Sequence, residues 1–157
     1  TTEIYTLSLH DALPISYFEA ESTPPVLNPG VKRNFHSPFP AENIRALLES
    51  QALSMKLHSA WQHEDIKRIR VTGGASGSPA FRQILADVFQ ADIETIAVGN
   101  SAGLGAAIRA ANIAGGISMD KLRGMFCGTV ETTRANPGNA DCYANALVRY
   151  AGFEKLR

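Results

Sequence analysis

Apolar side chains alternate with charged ones in residues 67–71, where Ile69 and Val71 fall on one face. That period of two is typical of a half-buried β-strand. Residues 93–98 form a second apolar-rich segment of strand length. The stretch between them is long enough for a helix, and strands joined by a helical crossover normally pair in parallel. The pattern therefore predicts an α/β fold with a short parallel sheet flanked by helices.

A glycine turn, residues 72–77, leads from the first strand to a helix predicted over residues 80–90. Pro79 suits the first helical position because its fixed φ fits the helix and its missing N–H would have no partner there. Ser78 precedes it and can cap the helix through its hydroxyl. Asp87 lies in the middle of this helix, where we expect it to face solvent or to cap a neighbouring segment.

The longest helix is predicted over residues 41–63. It carries two apolar stripes at helical spacing: Ile44, Leu48, Ala52 and Met55 on one side, and Leu53, Leu57 and Trp61 on another. A helix that is apolar on two sides is usually buried between layers. Arg45 and Glu49 are four residues apart and are predicted to form a weak surface pair.

Three further helices are predicted after the second strand: one that runs through residues 101–111 and ends at Gly115-Gly116, a short helix capped by Ser118, and residues 141–156. Residues 129–138 are polar and are predicted to form a loop. Three side chains of the last helix have helical spacing and are predicted to pack inward: Tyr143, Leu147 and Tyr150.

Residues 17–40 contain five prolines, which interrupt helices and strand ladders, and this segment is predicted to be a connector. Residues 1–16 do not fit the rest of the chain. Residues 7–15 resemble translated sequencing-adapter sequence, so we expect a non-native segment over 1–16 ahead of one partial domain over 17–157. The alternative for the first residues is an ordinary strand over residues 3–9.

The composition excludes several classes of partner. Lysine plus arginine and aspartate plus glutamate number 15 each among 157 residues, so the formal net charge is zero. Without a basic excess, neither nucleic acid nor an anionic membrane is an expected partner. Cys127 and Cys142 lack metal-binding spacing, which argues against a zinc site and a disulfide framework. No apolar run reaches the length of a membrane span and no signal peptide is visible, so we expect a cytoplasmic protein.

The glycine turn is the candidate for ligand binding. Glycine has no Cβ, so a phosphate or a ribose can approach the backbone closely. Free amides at the helix N-terminus also favour an anion. The turn does not match G-x-G-x-x-G, and it lacks the Walker lysine. From the residues alone, a ligand site and a tight turn with no ligand both remain open.

Three motifs together resemble the C-terminal domain of the FGGY carbohydrate kinases, in the sugar kinase/Hsp70/actin superfamily. They are Val-Thr-Gly-Gly-Ala-Ser at 71–76, Gln-Ile-Leu-Ala-Asp-Val-Phe at 83–89 and Asn-Ser-Ala-Gly-Leu-Gly-Ala-Ala at 100–107. The first resembles the superfamily's adenosine motif and the last its second connecting motif. In weaker form the likeness extends over residues 17–150, and it is greatest to the xylulokinases. It implies the C-terminal half of a ribonuclease H-like, or actin-like ATPase, domain.

The resemblance implies an adenosine site at the glycine turn, with ATP and Mg²⁺ as cofactors. Gly73, Gly74 and Ala75 match the family's backbone platform for ribose and adenine. Ser78 falls where many members have an asparagine that meets the adenine edge. A serine reaches less far and carries a single hydroxyl, so direct recognition of the base at Ser78 does not follow.

The connecting motif places Gly103 and Gly105 at small positions where two helices cross, without ligand contact. The family's catalytic aspartate and phosphate loop have no match in this sequence, so no catalytic residue and no metal ligand are assigned. The resemblance implies the ATP-binding part of a kinase for a xylulose-type pentulose, inert alone, whose partners are ATP and a small sugar. A homodimer is compatible with the full-length enzyme.

A noncatalytic nucleotide-binding or assembly module of the actin-like superfamily is the alternative. The missing initiator methionine and the foreign-looking first residues favour a fragment of an enzyme. A continuous upstream reading frame that encodes the other half would discriminate between the two.

Overall fold

The computed structural model describes residues 14–17, 19–22, 25–33, 37–63 and 65–155, and these form an α/β structure. The strands are β1 (Ile15–Tyr17), β2 (Glu21–Ser22), β3 (Pro25–Val26), β4 (Gly30–Lys32), β5 (Arg68–Val71), β6 (Asp92–Ile96) and β7 (Thr129–Thr133). The helices are α1 (Pro40–Ser59), α2 (Pro79–Phe89), α3 (Ser101–Gly115), α4 (Met119–Phe126) and α5 (Ala140–Lys155).

The central sheet has the strand order β5-β6-β7. Strands β5 and β6 are parallel, with Ile69 opposite Ile93, so the predicted parallel pair is confirmed. Strand β7 runs antiparallel to β6, and the prediction of a loop over residues 129–138 is wrong for its first part. That strand has no apolar alternation, because most of its side chains are exposed. Its threonines and valine are β-branched residues, which suit a half-exposed pleated surface.

Helix α2 packs on β6 and β7, and α1 packs mainly against α2 and α5. The predicted cap of α2 is confirmed, because the Ser78 hydroxyl accepts from the amide of Phe81. The prediction placed α1 against the parallel pair, but its main partners are the two helices. One apolar cluster joins these layers: Val26, Ala52, Leu53, Phe81, Ile84, Leu85, Ala86, Val88, Ile93, Tyr143, Ala146 and Tyr150. The inward packing predicted for Tyr143 and Tyr150 is confirmed, and Leu147 is partly buried against the same cluster.

Helix α1 buries less of its apolar surface than its two predicted stripes require. Ala52 and Leu53 are fully buried, but Ile44 and Met55 are more than half exposed. Trp61 is also exposed, because it lies in a separate 3₁₀ turn, Ala60–Gln62, that follows the helix. Leu48 of the first stripe and Leu57 of the second are partly buried against the core, so each predicted stripe is buried only in part.

Arg45 and Glu49 form a buried pair, so the surface pair predicted for them is wrong. The Arg45 Nε–Glu49 Oε1 distance is 2.8 Å, and the two side chains are only 11% and 3% exposed. The Tyr143 hydroxyl donates to Glu49 Oε1 at 2.9 Å from α5. Burial, and then the neighbouring Glu49 carboxylate, raise the pKa of Tyr143 well above its usual range. This network connects α1 to α5.

The predicted connector before α1 contains two short antiparallel ladders, β1 with β4 and β2 with β3. Its prolines limit these strands to two or three residues instead of preventing them. Lys32 connects this region to α5, because its Nζ donates to the Phe153 carbonyl at 3.1 Å and lies 4.3 Å from the centre of the Phe153 ring. The segment boundary predicted at residue 16 stays a prediction, and both interpretations of the first residues fall largely on 1–13, outside the described residues.

Helices α3 and α4 pack against each other, and much of their surface is exposed. Gly116 ends α3 in the left-handed region with φ 62°, and the Ser118 hydroxyl caps α4, as predicted. Ile108 and Leu122 are the buried side chains of this pair. None of the helices in the described part of the chain combines the length and the apolar character that a membrane span requires.

Candidate functional site

The glycine turn lies where the parallel strands end and two helices begin. The chain passes from β5 through the turn into α2, and from β6 through residues 97–100 into α3. The Thr72 hydroxyl donates to the Ser101 hydroxyl at 3.1 Å, which joins the two connections. In open α/β sheets, ligands bind outside the carboxyl ends of parallel strands. The geometry therefore makes this end of the sheet the candidate site.

The turn begins at Gly73 and continues as a short 3₁₀ helix, Gly74–Gly77. Gly73 has φ 88° and ψ −175°, a conformation that is open to glycine and costly for other residues. The Ser76 amide and hydroxyl both donate to the Gly73 carbonyl, at 3.2 and 2.6 Å. Ser76 thus closes the turn upon itself and leaves the backbone of Gly73, Gly74 and Ala75 exposed.

The structure brings the predicted site residues together in one continuous surface. We call Gly73, Gly74 and Ala75 the nucleoside platform; all three are exposed. A Cβ built on Gly73 or Gly74 would have no neighbouring atom within 4 Å, so the space above the backbone is open. The Ser78 hydroxyl oxygen accepts from Phe81 N at 3.3 Å, and its O–H donor is not used by this cap. The ligand contacts of these four residues stay predictions.

Arg82 is a residue of this region that the sequence patterns missed. It lies in the first turn of α2 and is 5% exposed. Its Nη1 donates to the Ser76 carbonyl at 2.7 Å, and its Nη2 donates to Glu131 Oε1 of β7 at 2.7 Å. The only sequence signal is a cation near the positive end of a helix, where the macrodipole disfavours it.

Asp87 is buried and does not face solvent, so that part of its prediction is wrong; the predicted role as a cap for a neighbouring segment is confirmed. Its Oδ1 accepts from the Asn136 amide at 2.7 Å and from Gln83 Nε2 at 2.8 Å. Its Oδ2 accepts from Asn139 Nδ2 at 2.8 Å. The carboxylate therefore fixes the connection between β7 and α5 to helix α2, and it is not available as a base.

The start of α3 shows why small residues occur in the third motif. The Asn100 side chain caps the helix by accepting from the Gly103 amide at 2.8 Å. A Cβ on Gly103 would lie 3.0–3.2 Å from that side chain, so glycine leaves room for the cap. A Cβ on Gly105 would have no neighbour within 4 Å. The helix-crossing role of both glycines stays a prediction.

A charged cluster lies on the face of the sheet that points away from α2. Glu94 Oε2 accepts from Arg70 Nη2 at 3.0 Å and from the Thr129 hydroxyl at 2.9 Å. These hydrogen bonds hold the pKa of Glu94 below its ordinary value, and the Arg68 charge acts in the same direction. Among the residues that the structure describes, no group of three histidine, cysteine or acidic side chains is arranged to hold a metal ion.

A cleft lies at the other end of β5, away from the glycine turn. It has a volume of about 450 Å³, and Lys56, His63, Lys67 and Phe89 contribute to its walls. The Lys56 ammonium donates to the Val88 carbonyl at 2.6 Å, and burial lowers the pKa of this lysine. The glycine turn does not line this cleft.

Comparison with known proteins connects the sequence to one family. Residues 13–114 match the C-terminal domain of the FGGY family of carbohydrate kinases. The chain is 35% identical over 126 residues to the xylulose kinase of Rattus norvegicus, which covers 76% of this chain and 24% of that protein. It is 34% identical over 115 residues to xylulose kinase 2 of Arabidopsis thaliana, which covers 68% of this chain and 20% of that protein.

Solved structures share the fold. The xylulose kinase from Rhodospirillum rubrum matches with a TM-score of 0.78 and 23% identity over 99% of this chain and 33% of that one. The Plasmodium falciparum glycerol kinase with ADP matches with a TM-score of 0.70 and 16% identity over 95% of this chain and 32% of that one. The predicted actin-like ATPase fold is therefore confirmed. The chain spans about a quarter of the length of the rat xylulose kinase and a fifth of that of the Arabidopsis thaliana xylulose kinase 2.

Proposed function

We propose, because this chain belongs to the FGGY family of carbohydrate kinases, that it forms the ATP-binding part of an enzyme that phosphorylates a sugar hydroxyl. We propose a xylulose-type pentulose as the sugar, since the curated relatives from rat, mouse and Arabidopsis thaliana are named xylulose kinases. The enzyme is proposed to be cytoplasmic, with ATP and a small sugar as its partners and a homodimer as its assembly.

The exposed glycine turn is the observation that carries the proposal. The nucleoside platform offers bare backbone at the carboxyl end of β5, with no atom where a Cβ of Gly73 or Gly74 would lie. A flat ring system can therefore lie against it without displacing a side chain. The N-terminus of α2 adds positive potential beside the platform, which suits an anionic nucleotide.

Phosphoryl transfer depends mainly on positioning and on neutralising the charge of the phosphates. Mg²⁺, when it arrives with the nucleotide, would neutralise part of that charge, and it is typically held by phosphates with few protein ligands. The described residues supply no acidic cluster for it, so we propose no protein ligand for the ion. In this chain the role of the platform is to bind and orient the nucleoside. The general base for the sugar hydroxyl is proposed to belong to another part of the enzyme.

Calorimetric titration of this chain with adenosine, ADP, ATP and inorganic phosphate tests the proposal. We expect adenosine, ADP and ATP to compete for one site, because all three place the same nucleoside on the platform. Inorganic phosphate should not displace adenosine. If adenosine fails to bind at millimolar concentrations, or if only phosphate binds, the proposed nucleotide site is wrong.

A further inference from the structure

We propose that Arg82 is a positioning residue for the nucleotide, which holds the nucleoside platform in place through the Ser76 carbonyl. The inference rests on the proposed function, because it needs a nucleoside on that platform. Arg82 does not have to contact the ligand. Its proposed role is to fix the backbone that does.

The contacts of Arg82 reach two separate parts of the structure. Nη1 donates to the Ser76 carbonyl at 2.7 Å, within the turn. Nη2 donates to Glu131 at 2.7 Å, and Nε lies 3.4 Å from the Thr133 hydroxyl, both on β7. A planar guanidinium can make such bonds in fixed directions at once, whereas an ammonium acts as a point charge. Arg82 therefore connects the turn to a strand that is remote from it in the sequence.

The turn needs a fixed contact of this kind because its glycines can adopt many backbone conformations. Ser76 already binds the Gly73 carbonyl through its amide and its hydroxyl, so the turn is closed on one side. The Ser76 carbonyl is the group that Arg82 holds. A backbone that is fixed before the ligand arrives loses less conformational entropy on binding and binds more tightly.

The location of Arg82 is energetically unfavourable for a cation, which is unexpected if the residue only stabilises the fold. It is a nearly buried cation in the first turn of α2, where the helix macrodipole is positive. Its carboxylate partner Glu131 is 57% exposed, so water screens the pair. Violations of local rules of this kind are expected where a function compensates for them.

A matched pair of variants separates positioning from general stability. Arg82→Lys and Arg45→Lys each replace a buried guanidinium by an ammonium, and Arg45 has its partner Glu49 on α1, outside the turn. We expect Arg82→Lys to weaken the binding of adenosine and of ATP by the same factor, roughly tenfold. Arg45→Lys should lower the melting temperature and leave both dissociation constants unchanged.

A second pair guards against a misfolded Arg82 variant. Glu131→Ala removes an exposed anchor, and Thr132→Ala is its control on the same strand. We expect Glu131→Ala to weaken adenosine binding about threefold, and to have little further effect in an Arg82→Lys background, because the two residues act together. Hydrogen exchange at the amides of residues 74–78 should be faster in both variants than in Thr132→Ala.

The outcomes distinguish this inference from the proposed function. If the unmodified chain binds neither adenosine nor ATP, the proposed function fails and this inference fails with it. If the chain binds both and Arg82→Lys and Glu131→Ala bind them as tightly, only the inference is overturned. If Arg82→Lys weakens ATP and leaves adenosine unchanged, Arg82 acts on the phosphates and the positioning role is wrong.

Discussion

The two nearly buried arginines lie in regions of opposite character. Arg45 is enclosed in the contact between α1 and α5, where its acceptor Glu49 is 3% exposed and also accepts from Tyr143. Arg45, Glu49 and Tyr143 are all side chains on helices. A buried network of this kind contributes to stability only while all its partners are present.

Arg82 lies at the border of the core. One of its bonds goes to the backbone carbonyl of Ser76 in an exposed turn, and another goes to Glu131, which is 57% exposed on β7. The comparison shows that burial of a charge does not by itself reveal its role. The role depends on what the buried arginine binds: Arg45 connects two helices, whereas Arg82 binds the backbone of an exposed turn.

The largest change in stability is expected when Arg45 is removed from the buried network between α1 and α5. Arg45→Met leaves the nearly buried Glu49 carboxylate without its cation, which should lower the free energy of unfolding by about 3 kcal/mol. Urea denaturation followed by circular dichroism measures it. Arg109→Met is the control on an exposed helix face and should cost less than about 0.5 kcal/mol. Equal losses in the two variants would show that the buried pair contributes nothing special.

The next largest effect is a loss of nucleotide affinity, expected when a side chain is added to the nucleoside platform. A side chain on Gly74 meets no protein atom, so Gly74→Val should fold normally and project into the ligand's space. Loss of half of the nucleoside contacts costs on the order of 2–3 kcal/mol, or roughly a hundredfold in ATP affinity. Titration calorimetry measures it, with Gly152→Val on the exposed face of α5 as a glycine control that also has open space. Unchanged affinity in a folded variant would mean that the turn binds no nucleoside.

The Gly73→Val variant, unlike Gly74→Val, should lose stability as well as nucleotide affinity. Gly73 has φ 88° and ψ −175°, so Gly73→Val forces a β-branched residue into a strained backbone region at a cost of roughly 1–3 kcal/mol. Gly74 is not in that region. Chemical denaturation of both variants makes the comparison. If Gly74→Val is the less stable of the two, the assignment of the strained position is wrong.

The smallest effect concerns pH and the charged face of the sheet. Because hydrogen bonds from Arg70 and Thr129 lower the pKa of Glu94, its carboxylate stabilises the folded chain at pH values above its ordinary value of about 4.3. That contribution is lost as the pH falls through the lowered pKa. Glu94→Gln should therefore be less stable than the unmodified chain at neutral pH and equal to it in acid. A difference that grows toward acid pH would contradict the lowered pKa.

Local features of the fold followed from the sequence. The parallel pair, the Ser78 and Ser118 caps, and the end of α3 at Gly116 each depend on a few neighbouring residues. Strand β7 did not follow, because it exists through backbone pairing with β6 and its side chains lack apolar alternation. A strand of that kind carries no periodic signal for sequence reasoning to find.

The candidate site was also predictable from the sequence only in part. The residues predicted to bind the nucleotide form one continuous turn, so their proximity needed no tertiary information. The partners of Arg82 on β7 lie 49 and 51 residues away, and Tyr143 lies 94 residues from Glu49. Contacts across such distances depend on how the layers pack, which no local pattern specifies.

Amide NMR titration of the chain with ATP tests the central claim most directly, because it shows where the nucleotide binds. The chain has two candidate locations at opposite ends of β5: the glycine turn and the cleft beside Lys56 and Lys67. We predict saturable shifts that are largest at residues 73–75 and Ser78. Shifts confined to the cleft, or an unperturbed turn at saturating ATP, would contradict the assignment of the nucleoside platform.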